Sequence, residues 1–197
     1  MAITNGYCTL AEVKAALRLT DSVDDTLLEN AIEGASRRVD GYCGTFFYQT
    51  SNVLALYPWN EYRVNIPDAT SITYLKTDND GDGVYETTWT AGTDYQLEPL
   101  DRALQSRPIR RLVAIGSKTF PLYTVPSMAG VQVSATWGWS AIPDDVREAT
   151  ILLSIRQFAR LNAALGVIGF ADMAVQVRAI DPDVRDLLNP YVRVGVA

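Results

Sequence analysis

Asp78, Asp80 and Asp82, spaced two apart with Gly81 and Gly83 in the same run, are the residues whose types and spacing come nearest to a chemical site. Carboxylates at the first, third and fifth positions with glycine at the sixth match the first half of an EF-hand calcium loop. The second half fails, because the twelfth position is Trp89 rather than a bidentate glutamate and strand-like residues follow where a helix should begin. A polar hairpin tip joining Ile72–Lys76 to Tyr85–Thr90 accounts for the same residues. The expectation is a hairpin, with Asp78, Asp80 and Asp82 as a weak calcium candidate and Glu86 as a further oxygen.

Little other chemistry is on offer. There is no histidine, so no Ser-His or Cys-His pair exists and no side chain has an unperturbed pKa near neutrality. The carboxylate pairs Asp24-Asp25 and Asp144-Asp145 both stand where helix starts favour negative charge. Cys8 and Cys43 lie among apolar helical residues and read as buried thiols, not as a disulfide framework or metal site. Trp137-Gly138-Trp139 has the aromatic faces to stack a sugar or base, yet it ends a strand whose inner face wants bulk, which favours packing. Arg102, Arg107, Arg110, Arg111 and Lys118 gather five of the seventeen basic residues into one stretch. Such a stretch serves as a solvated strand edge or as a contact for an acidic protein surface or phosphate. A non-enzymatic protein without cofactors is expected, acting through its surfaces.

Composition agrees. The 197 residues are 48% hydrophobic, enough for one core or a core and a satellite without staples. A net charge of -6 argues against a surface built to grip nucleic acid. No signal peptide or membrane-length apolar run is read, so a soluble, cytoplasmically made protein is expected.

The elements that must position these residues follow from periodicity. Thr9 and Glu12 form a capping box, opening a short helix from Leu10 to about Leu19. Leu27, Leu28, Ala31, Ile32, Ala35, Val39 and Tyr42 then recur at helical spacing up to Gly44, with Glu29, Glu33 and Arg37 on a solvated side. Between Thr50 and Trp139 the period shortens to that of strands, expected at Val53–Tyr57, Ile72–Lys76, Tyr85–Thr90, Tyr95–Glu98, Leu112–Ile115 and Val131–Trp137. Pro143, Asp144 and Asp145 open a third helix with almost no polar face, expected at the centre of the fold. Beyond it, Leu165–Phe170 reads as a Gly-interrupted arm, Asp181-Pro182 starts a short turn through Leu188, and Tyr191–Ala197 reads as an open tail.

Blocks at the two ends of the chain resemble the tailed-phage head-to-tail connector (adaptor) family, whose parts also occur in phage-derived gene transfer agents. They are Leu10-Ala11-Glu12-Val13-Lys14 with Leu17-Arg18-Leu19, Asp24-Asp25-Thr26-Leu27-Leu28, and Val39-Asp40-Gly41-Tyr42-Cys43-Gly44. Later come Trp137-Gly138-Trp139, Ile142-Pro143-Asp144-Asp145-Val146-Arg147-Glu148-Ala149, and Asp181-Pro182-Asp183-Val184 closing on Leu188-Asn189-Pro190-Tyr191. An α+β protein is expected, in which the inserted antiparallel β-rich region at 50–140, a small sheet or barrel, is read from the period and departs from the smaller members of the family. The resemblance implies a helical core, from residues 1–49 and 141–164, and a C-terminal arm at 165–197 that docks on the portal. It also implies a ring of copies, commonly twelvefold, at the head-tail interface of a virion or phage-like particle. The portal and the next tail component, a stopper or tail terminator, would be partners, and DNA would pass without sequence-specific binding. On this reading Val167, Ile168, Phe170, Leu187, Leu188 and Tyr191 anchor protein contacts. The alternatives are a β-rich calcium- or carbohydrate-binding module of a particle or cell surface and, more weakly, a carboxylate-based hydrolase.

Overall fold

The computed structural model describes residues 3–123, 128–162 and 182–193. It is an α+β protein whose chain divides into two compact units, residues 1–47 with 142–197 and residues 48–141.

In the first unit, α1 (Leu10–Leu17) opens on the Thr9/Glu12 capping box and ends on Arg18 in the left-handed region. Helix α2 (Asp25–Cys43) ends at Gly44, whose φ of 66° suits a residue without a β-carbon. Its inner stripe of Leu28, Ala31, Ile32, Ala35 and Val39 is buried. The face expected to be solvated carries the chain's own N-terminal stretch: Glu33 accepts the N–H groups of Thr4 and Asn5, and Arg37 donates to the Asn5 carbonyl. Helix α3 (Asp144–Asn162) packs against α1, α2 and α4 (Pro182–Leu188), yet it keeps an exposed polar side at Asp144, Arg147 and Glu148 that its apolar run does not suggest. Its buried hydroxyls, Thr150 and Ser154, donate to carbonyls one turn back. Cys8 and Cys43 are buried free thiols, pushed by burial up to about 11 and about 12.

The second unit is a six-stranded antiparallel sheet: β1 (Thr50–Leu56), β2 (Arg63–Thr77), β3 (Thr87–Trp89), β4 (Tyr95–Glu98), β5 (Ile109–Ala114) and β6 (Val131–Trp137). Their order is β1-β6-β2-β5-β4, with β3 paired to the end of β2. Strand β2 is longer than its periodicity suggests. The Arg63–Ser71 half contains Pro67, and the sheet accommodates it where the β2–β5 register shifts between Asn65 and Ala69. Strand β6 buries Val131, Val133, Ala135 and Trp137 and turns the residues between them outward, as alternation predicts. No described helix is long and apolar enough to cross a membrane.

Candidate functional site

Strand pairing of Leu75, Lys76 and Thr77 with Trp89, Thr88 and Thr87 makes the Asp78–Glu86 segment a hairpin connection. Asp78 turns into it and is 1% exposed. Its carboxylate accepts the N–H of Gly81 at 2.7 Å and of Gly83 at 2.9 Å, and the Tyr123 hydroxyl reaches it at 3.2 Å. Burial opposes the charged form, but these donors outweigh it and hold the carboxyl below its usual value. One oxygen each from Asp78, Asp80, Asp82 and Glu86 lies within 4.8 Å of the others. Trp89, at the position of the EF-hand glutamate, is instead buried and stacked on Phe120 with ring centroids 4.7 Å apart.

The basic stretch divides into two parts. Arg110 donates from Nε to Asp68 at 2.8 Å, and Arg111 bonds Glu98 at 3.1 Å and Asn65 at 3.3 Å, so both are used within the sheet. Arg102 and Arg107 sit on the loop between β4 and β5 and make no ion pair among the described residues. Asp68 is the polar residue that sequence reasoning missed. It is fully buried; its carboxylate accepts Arg110 and the Trp139 indole N–H at 3.0 Å, and its backbone carbonyl accepts the Gly138 N–H at 2.6 Å. Only a charged residue inside an otherwise strand-like run, Ile66-Pro67-Asp68-Ala69, signals it, and beside proline that pattern reads as a turn. Trp137 and Trp139 are 2% and 6% exposed, so neither presents a face for sugar stacking.

At the C-terminal end of the described chain, Leu188 is a core residue, 1% exposed, and Leu187 is half-buried beside α3. Tyr191 donates to Asp145 at 3.0 Å and meets the Phe47 ring edge-on, while the Arg193 N–H closes on the Cys43 carbonyl at 2.8 Å. The surface offered here is thus Leu187 with the outer side of Tyr191. Val167, Ile168 and Phe170 lie outside the described residues.

The chain matches the phage gp6-like head-tail connector family over residues 7–76. That span takes in α1, α2, β1 and nearly all of β2, including three of the blocks that carried the resemblance. Its fold is similar along its whole length to chains in solved structures of gene transfer agent particles. One comes from the neck of a native gene transfer agent particle computed with C12 symmetry, at 25% identity and TM-score 0.59, covering 100% of this chain and 94% of that one. A second, from the neck of an empty particle computed with C6 symmetry, shares the fold at 22% identity and TM-score 0.59, covering 100% and 95%. A third, from the virion of a native gene transfer agent particle, does so at 24% identity and TM-score 0.57, again covering 100% and 95%. No curated protein sequence matches the chain. The connector family that the terminal blocks resemble is the one whose model matches residues 7–76.

Proposed function

We propose that this protein is a structural, non-catalytic connector of the neck of a phage or gene transfer agent particle. It joins the portal to the next tail component as a ring of copies around a channel for DNA. The observation that carries this reading is the full-length likeness to a neck chain, together with the connector match over residues 7–76. A twelvefold ring fits the C12 symmetry of that neck. The net charge of -6 fits a channel that lets a phosphate backbone slide without holding it. Docking on the portal falls to the C-terminal segment, with Tyr191 as its described contact residue and Val167, Ile168 and Phe170 as further anchors, while Leu187 faces a neighbouring copy. Co-purification with the portal protein of the same particle tests this: a stoichiometric complex is expected, and a chain that ignores the portal under all conditions overturns it.

One observation favours a second role for the sheet unit, the convergence of four carboxylates on the β2–β3 connection. Thermal unfolding in millimolar calcium separates the two. Stabilisation assigns the loop to calcium, and none leaves it a hairpin turn.

A further inference from the structure

Two surface features of unlike chemistry remain unexplained by the core of either unit. The first is a groove of about 640 Å³ between α3 and α4. Asp145, Glu148 and Leu152 line it from α3 at one-turn spacings, and Asp183, Asp186 and Leu187 face them from α4. Each helix thus sets two carboxylates beside one leucine. Asp145 accepts Tyr191, and Asp183 shares Arg156 at 3.4 Å. Glu148 and Asp186 make no ion pair among the described residues. The groove is acidic at its rim and apolar at its floor.

The second feature is the Pro99–Pro108 loop between β4 and β5. Backbone bonds from Leu104 and Gln105 to the Asp101 carbonyl, and from Arg107 to the Arg102 carbonyl, fold it on itself. That folding does not hide its leucines: Leu104 is 90% exposed and Leu100 66%. Arg102 and Arg107 flank Leu104, beside a shallow hollow lined by Thr70, Ser106 and Ser140. Arg102 also donates to the Leu97 carbonyl at 3.3 Å. A large apolar side chain exposed beside two cations that make no ion pair among the described residues is the inverse of the groove.

We propose that the Pro99–Pro108 loop of one copy of this chain seats in the α3–α4 groove of the next, with Leu104 against Leu152 and Leu187. Arg102 and Arg107 then meet the rim carboxylates, Glu148 and Asp186 foremost. The occupant is a second copy because the same chain carries both halves. Two different, complementary patches give a head-to-tail contact, the kind that generates a ring when its rotation closes. The contact rests on the ring reading above and names the surfaces that build the ring.

Sedimentation and native mass measurements on the full-length chain test it, with circular dichroism confirming that each variant folds. Arg102→Glu with Arg107→Glu reverses the loop, and Glu148→Lys with Asp186→Lys reverses the groove. Each variant alone is expected to self-associate about a hundredfold more weakly than wild type, since like charges then face each other. An equimolar mixture of the two is expected to recover association, because one new contact pairs reversed patches and the other pairs native ones. Leu104→Ser, which leaves the loop's backbone bonds in place, is expected to weaken association by itself and serves if the arginine variant misfolds. Variants that assemble like wild type overturn this interface and leave the ring standing, as does a mixture that fails to recover. A groove variant that self-associates normally but loses the portal also overturns it, giving the groove to a different partner. Wild type that never associates at any concentration removes both the interface and the ring.

Discussion

In the helical unit, the buried hydroxyls of α3 are satisfied within their own helix: Thr150 and Ser154 each donate to a carbonyl four residues back. In the sheet unit, one fully buried carboxylate, Asp68, gathers donors lying 42 and 71 residues away, from β5 and from the end of β6. Local satisfaction survives the loss of one side chain, because the hydroxyl and its need disappear together. A long-range hub does not, since deleting it leaves a guanidinium and an indole N–H without their acceptor. The Asp68 hub of the sheet unit therefore depends on a single residue in a way the α3 hydroxyls of the helical unit do not.

Asp68→Ala puts that contrast to its hardest test, with an expected loss of about 3–5 kcal/mol in chemical denaturation, the range for breaking a buried ion pair. A loss below about 1 kcal/mol would mean that water replaces the hub. Leu28→Ala, in the fully buried stripe of α2, is expected to cost about 3 kcal/mol through the cavity it opens. Hydrogen exchange should show the protection lost in α2. Thr9→Ala removes the hydroxyl half of the capping box, leaving the residue-9 N–H on Glu12, and should cost about 1 kcal/mol, read as a lower unfolding midpoint. Ser154→Ala is expected to fall within about 1 kcal/mol of wild type by the same measurement. A cost matching that of Asp68→Ala would erase the difference between the units.

Acid sharpens the comparison further. Asp78 titrates below its usual value, so the stability it contributes is intact above about pH 4 and disappears as pH falls through its lower folded value. Asp40, in the helical unit, is raised by burial despite accepting from Tyr7 and pairing with Arg37. Its contribution is present below about pH 4 and declines as pH rises through its raised value. The stability gap between wild type and Asp78→Asn should close on acidification, whereas the gap for Asp40→Asn should move the opposite way.

The same contrast explains what the sequence disclosed. The Thr9/Glu12 box, the Gly44 stop, the alternation of Val131–Trp137 and the hairpin around Asp78 depend on residues within a few positions of one another, and periodicity or turn chemistry reveals them. The first half of β2 went unseen because Pro67 and Asp68 imitate a turn, and only partners far along the chain make them strand. Arg102–Arg111 reads as one basic patch until β4 and β2 supply Glu98, Asn65 and Asp68, after which two arginines remain at the surface. The acidic groove was equally hidden, since its halves on α3 and α4 have ordinary helix-start composition and become a site only where the helices meet.

Native mass spectrometry of the full-length chain, alone and with the portal protein, tests the connector account most directly. The account predicts one closed oligomer of about twelve copies that binds the portal stoichiometrically, as the C12 symmetry of the similar neck leads one to expect. A monomer at every concentration, unchanged by the portal, would contradict it.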